Sequence, residues 1–472
     1  MQHPLGSPER PLRVAVVGSG PSGFYAIASL FKSGLAVTVD LFDRLPTPFG
    51  LVRGGVAPDH QKIKNVIRVY NKTAEIPGFR FFGNVAVGRD LGLDELRRHY
   101  HQVVLAVGNE SDRRLGIPGE DLAGVHSATE FVGWYNGHPD FQDRSFDLVR
   151  ARRVAVVGNG NVAMDVTRIL AEEPDALHPT DITEESLAEL RRSRVEEIVL
   201  LGRRGPAEAA FSPPEIKEIG SLEHAELVVA PSEVELDEAS RRWLEQAAPS
   251  ARKNVDYLTE ASARPAKGST RRVVVRFLVS PVELLGDDEG RLRAVRVEHN
   301  ELVPDPDGTP RPRGTGHFEE LAVDLLFKAV GYRGQPLPGV PFDERRGVLP
   351  NVEGRVVDPA SGAPLPGLYA VGWAKRGPSG LIGTNSADSE ATVAKMVEDA
   401  RAAGSADDAA PDLEAVPALL RERGVDYVSF ADWQNLDRDE VARGEALGKC
   451  RLKYTSVEAM MDAVRRLRSS SG

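Results

Sequence analysis

RVAVVGSGPSG (Arg13–Gly23) decides the reading of the first hundred residues. Its apolar run predicts a short buried strand that ends in a glycine turn, and Phe24–Lys32 has the apolar spacing of a helix. Each glycine has a physical reason. Gly18 allows the tight turn, Gly20 lets a backbone approach a pyrophosphate, and Gly23 lets the helix pack on the strand. The helix N-terminus then faces the phosphate charge. Ala36–Phe42 (AVTVDLF) alternates like a second strand, and Asp43 closes it 20 residues after Gly23. A carboxylate there accepts hydrogen bonds from a ribose. A structural glycine turn is the plainer alternative. The strand, helix and acid, each in its place, favour nucleotide binding.

A second such stretch is RVAVVGNGNVA (Arg153–Ala163). Gly158, Asn159, Gly160, Asn161 and Val162 form the turn and helix start, with Ala163 in place of the third glycine. Its second strand, Ile198–Gly202, runs into Arg203 and Arg204 rather than an acid. A carboxylate would repel a 2′-phosphate, whereas two guanidiniums attract it and bind it bidentately. The second site is therefore expected to prefer NADP to NAD. A solvated arginine pair at a strand end is the ordinary alternative. Two dinucleotide folds in one chain suggest two cofactors, FAD in the first and NADP(H) in the second. Flavin brings the conversion between two-electron and one-electron transfer that side chains lack.

Composition narrows the classes. The 472 residues are 41% hydrophobic and 27% charged, ordinary for a globular chain of two or three domains. A net charge of −11 does not point to nucleic acid. Cys450 is the single cysteine, so no disulfide, CxxC pair or cysteine-ligated cluster forms within one chain. Iron–sulfur chemistry would then lie in a partner. No stretch approaches the ~20 apolar residues that span a bilayer, so no membrane partner is expected. Residues before the first strand lack the features of a signal or transit peptide. The expected location is cytoplasmic, as a monomer or weak dimer.

The remaining chain is expected as follows. Thr47–Asn65 is a Gly/Pro-rich loop ending in a helix that continues to about Lys72, and Val103–Gly108 is a buried strand before a turn-rich hinge. Glu172–Arg194 is a charged insertion. Arg272–Val282 and Leu292–Leu302 read as a hairpin around GDDEG. Val323–Gly331 reads as a strand returning the chain to the first domain. Leu368–Gly372 is another buried strand, with a helix from about Ser386, and Ala402–Ala410 is a polar linker. The class is α/β, with two Rossmann-like domains and the NADP domain inserted in the FAD domain. The boundaries expected are 1–108 and 331–401 for the FAD domain, 109–330 for the NADP domain, and 402–472 for a helical extension packed on the outside.

GSGPSGFY, PFGLVRGGVAPDHQKIKNV, VVGNGNVAMDVTRIL, GRRGP and VGWAKRGPSGLIGTN together resemble the adrenodoxin-reductase family of ferredoxin–NADP reductases. The resemblance runs from about Arg13 to the C-terminus and is least distinctive at 172–194 and 232–320. It implies hydride transfer from NADPH to FAD, then single electrons to a ferredoxin or similar small iron–sulfur protein. It implies FAD contacts at Ser22, Asp43, Leu51, Val87, Trp373 and Gly380-Leu381-Ile382, beside the turn glycines Gly18, Gly20 and Gly23. The family commonly carries glutamate where Asp43 stands. NADP contacts are implied at Asn159–Val162, Arg203, Arg204, Glu215 and Gly380. His60 and Glu218 are the residues implied beside the nicotinamide. Hydride transfer needs the donor carbon within near-attack distance and no acid or base. Their role is therefore expected in orientation and electrostatics, with proton handling when reduced flavin is re-oxidised. The plainer alternatives are a turn histidine and a solvated helix face.

An acidic ferredoxin requires a local basic patch on so acidic a chain. Lys62, Lys64 and Arg68 form one candidate, and Arg191, Arg192 and Arg194 another. Rival readings are the NADPH-side flavoprotein of a glutamate-synthase-type assembly, a flavin monooxygenase and a non-enzymatic redox sensor. A thioredoxin reductase fails for want of a CxxC pair.

Overall fold

The computed structural model describes residues 3–109, 111–380, 382–403 and 412–470. Most of the expected linker Ala402–Ala410, and Leu381, lie outside the described residues. The chain forms two compact units. One comprises Met1–Val56, His60–Ser111 and Gly331–Gly472, and the other Ala57–Asp59 and Asp112–Val330. The second is inserted in the first, as the glycine motifs and the return of apolar strands after 330 predict.

Leu12–Val17 is central in the seven-stranded sheet of the first unit. It pairs in parallel with Val37–Phe42 on one side and Gln102–Leu105 on the other. Phe79–Phe82 extends the first side and Pro364–Ala370 the second, both in parallel. All six residues of Leu12–Val17 are buried, so the strand reads as an apolar run rather than an alternation. Both neighbours follow it in the chain, but Val37–Phe42 and Phe79–Phe82 lie on one side of it and Gln102–Leu105 on the other, so the strand order reverses direction at this strand. The turn after Val17 therefore opens at a topological switch point, where doubly wound sheets bind ligands.

Charged groups are buried within this core, Asp40 among them. Asp40 is 2% exposed. It accepts two hydrogen bonds from Arg80, at 2.8 and 2.7 Å, and one from the Tyr100 hydroxyl at 2.5 Å. Arg13 stacks over the Tyr100 ring and reaches the carbonyls of Asp412 and Leu413. A buried carboxylate is tolerable only when satisfied in this way. Here its partners also fasten the start of the C-terminal extension.

That extension comprises helices Ala415–Glu422, Phe430–Glu445 and Val457–Ser470. It is part of the core rather than a covering. Trp433 meets Phe49 edge-on at 5.7 Å, and Leu436, Met460 and Val464 are buried with the first sheet. Glu440, fully buried, accepts from Arg53 at 2.9 and 2.6 Å, from Arg451 at 3.0 Å and from the Tyr454 amide at 3.0 Å. Lys453 donates to the Arg53 carbonyl. The one-turn helix Leu51–Gly54 is thereby clamped by residues nearly 400 positions away.

The second unit repeats the plan. Its six-stranded sheet runs Val125–Ser127, Leu325–Lys328, Arg153–Val157, Glu197–Leu201, Arg271–Arg276, Ala225–Val229. Every neighbouring pair is parallel. Arg153–Val157 is again where the strand order reverses: Glu197–Leu201 follows on one side of it and Leu325–Lys328 later joins on the other. The expected insertion holds helices Pro174–Leu177 and Glu184–Arg192.

Two expectations need correction. Arg272–Val282 is not one strand. It breaks at Leu278, whose φ of 55° is in the left-handed region. Arg271–Arg276 joins the parallel sheet, and Val279–Gly286 starts an antiparallel one with Leu292–Pro304 and Pro310–Ala322. The amides of Leu278 and Val279 donate to the carbonyls of Arg204 and Gly202, which turns the chain between sheets. An alternating pattern cannot reveal a change of sheet when both halves alternate. Likewise, the strand expected over Val323–Gly331 is Leu325–Lys328 and belongs to the second unit, which the chain leaves at Gly331.

Two predictions follow from these buried acids. Glu440→Gln takes the buried counter-charge from Arg53, while Arg451 keeps Asp437, and should cost the first unit roughly 3–5 kcal/mol. Thermal unfolding measures it, and an unshifted midpoint would refute the clamp. In the second unit, burial pushes the Asp112 carboxyl up to about 6 despite a hydrogen bond from Thr129. An unfolded Asp titrates near 3.9, at about two units lower pH. The folded state thus holds a proton the unfolded chain has lost, and this contribution to stability disappears as pH rises through about 6. Denaturant titrations at pH 5 and pH 7 should show that slope, and Asp112→Asn should flatten it.

Candidate functional site: two dinucleotide cradles

In the first unit the Gly18 turn (φ 101°) passes so close to the neighbouring strand end that a Cβ would lie 2.5 Å from the Ala106 carbonyl oxygen. Gly20 caps helix Pro21–Phe31 with nothing within 4 Å of where its Cβ would be. That helix has no side-chain cap and no acid in its first turn. Its leading amides therefore face open space, which suits a pyrophosphate. A Cβ on Gly23 would meet the Gly18 carbonyl at 2.3 Å, so glycine is required there by packing.

The other expected residues gather at this end of the sheet. Asp43 accepts from the Ser19 amide at 3.0 Å, from the Ser19 hydroxyl and from the Leu45 amide at 2.9 Å. The loop before Leu51 crosses the turn: Phe49 donates to the Ser19 carbonyl, and a Cβ on Gly50 would be 3.0 Å from the Gly20 Cα. Val85 donates to the Asp43 carbonyl, which brings Val87 near the same strand end. Ser22 is turned toward a neighbouring helix, donating to Asn385 at 3.0 Å. It stands against Gly372, whose Cβ would lie 1.9 Å from the Ser22 hydroxyl.

Trp373 follows, half-buried, with Tyr332 at 5.3 Å and an indole N–H that finds no acceptor among the described residues. Ile382 packs on the first core. Gly380 is exposed, with φ 81°, and a Cβ would come within 2.8–2.9 Å of Thr384. Backbone conformation thus demands glycine there independently of any stacked ring. Sequence inspection missed Lys375 and Arg376, which pair with Asp388 and place two cations beside Trp373. His60 begins helix Gln61–Lys64, and its carbonyl, not its ring, accepts from Ile63 and Lys64.

The second unit builds the same cradle. A Cβ on Gly158 (φ 125°) would lie 2.3 Å from the Ala329 carbonyl, and Gly160 has open space. Helix Asn161–Ala171 has no side-chain cap and no acid in its first turn. Asn161 accepts from the Ser212 amide, Val162 packs on the second core, and the buried Asn159 amide nitrogen has no acceptor among the described residues. Arg203 is exposed and Arg204 half-buried. Their carbonyls are held by Asn300 at 2.9 Å and Leu278 at 3.2 Å, so the strand that switches sheets also fixes the arginine pair. Burial, then repulsion from Arg203, lowers the Arg204 pKa. Glu208, also missed, is 3% exposed, and burial raises its pKa against the opposing pull of the Ser240 hydroxyl.

Glu215 and Glu218 lie on helix Pro213–Ser221 and converge on Arg168, at 3.2 and 3.6 Å. Asp59 and Asp165 complete the cluster, each at 2.7 Å. Arg168 is legible in hindsight. An arginine on the apolar face of a helix must bring its own acids.

Two uncapped helix starts over Cβ-free space, each at a switch point, define an α/β protein that binds two dinucleotides. Unsatisfied donors at Trp373 and Asn159 fit such ligands, FAD in the first unit and NADP in the second. The sequence profile of the pyridine nucleotide-disulphide oxidoreductases matches residues 12–379, and the chain belongs to that family and is an oxidoreductase. It is 44% identical over 454 residues to NADPH-ferredoxin reductase FprA of Mycobacterium leprae, covering 95% of this chain and 97% of that protein. It is 42% identical to the mitochondrial NADPH:adrenodoxin oxidoreductase of Homo sapiens, covering 97% and 93%. The solved structure of Mycobacterium tuberculosis FprA in complex with NADPH superimposes with a TM-score of 0.90 at 42% identity, covering 97% of this chain and 100% of that one.

Replacing both Arg203 and Arg204 with alanine should raise the NADPH KM at least ~10-fold, since a charged hydrogen bond contributes about 1.5–3 kcal/mol. The NADH KM should hardly move. Equal losses for both nucleotides would remove the arginine pair from the 2′-phosphate.

Proposed function

We propose that the protein passes electrons from NADPH, through FAD, to a small iron–sulfur protein of ferredoxin type. The observation that carries this reading is the pair of cradles, one followed by Asp43 and the other by Arg203-Arg204, in a chain with a single cysteine. Disulphide chemistry of the kind in the family name requires a thiol pair, and this chain has only the exposed Cys450. Bound FAD supplies the step from hydride acceptance to single-electron release.

The chain's own residues bind and orient. The first-turn amides after Gly20 and Gly160 hold the two pyrophosphates. Asp43 takes a ribose hydroxyl while already bound to Ser19 and Leu45, so its geometry is preset. Leu51, Val87, Trp373, Gly380 and Ile382 line the flavin side, and Asn159–Val162 with Glu215 the nicotinamide nucleotide. His60 and Glu218 orient the nicotinamide and accept or release the proton that accompanies re-oxidation.

Docking of the iron–sulfur protein rests on a local patch. Arg191 and Arg192 are neutralised by Asp175 and Glu189, and Lys64 is 6% exposed. Lys62 and Arg68 remain exposed, interleaved with Ile63 and Val69, themselves 45% and 51% exposed. Cations around apolar side chains suit an acidic protein surface. No helix among the described residues is long and apolar enough to cross a membrane. A cytoplasmic monomer or weak dimer is the setting proposed.

NADPH-driven reduction of a ferredoxin should fall steeply between low and moderate salt, while ferricyanide reduction stays level. Lys62→Glu with Arg68→Glu should weaken only the ferredoxin reaction. Parallel salt responses for both acceptors would sink the docking patch.

A further inference from the structure

Arg168 lies on helix Asn161–Ala171, which opens at the NADP turn, and is 2% exposed. Its guanidinium spends its donors on three acids. Nε and Nη2 grip the two Asp59 oxygens at 2.7 and 3.0 Å, Nη2 also reaches Asp165 at 2.7 Å, and Nη1 reaches Glu215 at 3.2 Å. Glu218 lies 3.6 Å away. Burial works against this charge, but hydrogen bonding to Asp59 and the charges of Asp165 and Asp59 outweigh it and hold the pKa above its ordinary range.

A surface arginine three residues from Asp165 would need only that helix partner. Asp59 comes from elsewhere. Ala57–Asp59 is the one piece of chain outside 112–330 that belongs to the second unit, and Asp59 is its only charged residue. His60 follows directly. A bidentate fork fixes orientation as well as distance, so gripping Asp59 fixes the peptide that leads into His60. The same guanidinium fixes Glu215, and its charge draws Glu218.

We propose that Arg168 is a positioning residue for hydride transfer, setting the Pro58-Asp59-His60 turn and the Glu215 and Glu218 carboxylates at once. This rests on the reading that His60 and Glu218 serve the nicotinamide. Lysine cannot replace it, because an ammonium keeps the charge and loses the fork.

The test uses the full-length, FAD-loaded protein as wild type, Arg168→Lys, Asp59→Asn and their double variant, with His60→Gln and Glu218→Gln alongside. Stopped-flow bleaching of the flavin by NADPH separates the limiting hydride-transfer rate from the NADPH Kd. Both single variants should keep flavin and a near-normal Kd, while the limiting rate falls at least ~10-fold, the scale of small misplacements at a reacting centre. The double variant should be no slower than the worse single, because both break one contact. A wild-type rate in either flavin-loaded single variant overturns the proposal, as does a loss confined to Kd. If Arg168→Lys does not retain flavin, Asp59→Asn decides. Wild-type rates in the His60 and Glu218 variants would instead remove the reading beneath it. Slow His60 and Glu218 variants beside a normal Arg168→Lys would remove this inference alone.

Discussion

The uncapped starts of helices Pro21–Phe31 and Asn161–Ala171 each follow a glycine turn at a switch point, and the rest of the architecture serves that arrangement. An uncapped helix start is a cost unless a ligand meets it. Gly18 and Gly158 bring each turn against the next strand end, where any side chain would strike a carbonyl. Gly20 and Gly160 leave the space in front empty. Parallel strands on both sides hold each turn at a switch point. The sheets, in this sense, are scaffolds for two uncapped helix N-termini.

Distant segments then complete each cradle through buried charge. Glu440 reaches Arg53 from the C-terminal extension and holds the loop that crosses Gly20. Asp40 gathers Arg13, Arg80 and Tyr100 and fastens the start of that extension. Arg168 gathers Asp59, Asp165 and Glu215. In each case one fully desolvated group is satisfied by partners from several places in the chain. Such networks are costly to break halfway, because the remaining charges stay buried. They confer position more than stability, and position is what transfer between two bound cofactors requires.

Much of this was legible residue by residue. The glycine turns, their flanking strands and helices, and the contrast between Asp43 and Arg203-Arg204 all lie within local stretches whose periodicity and turn chemistry are visible in sequence. Less local features were not. The change of sheet at Leu278 hid inside an unbroken alternation, because period two does not say which sheet a strand joins. Lys64 looked like part of a surface patch and is buried, and Arg191 and Arg192 looked free and are paired. Charge in a sequence carries no record of its partners.

The amino-acid order alone pointed to two dinucleotide folds, one inside the other, led to the expectation of a 2′-phosphate in the second, and fixed the lack of a thiol pair. The turns and their acid or arginine pair depend on backbone conformation and residue chemistry within one strand–helix–strand unit. Folding in three dimensions settled what holds those sites in place. That Glu440 clamps the Leu51 loop, that Arg168 grips Asp59, and that glycine at 380 answers to Thr384 as well as to any stacked ring are facts of packing between segments far apart in the chain. Local pattern cannot announce them, because a buried charge chooses its partner by proximity in space.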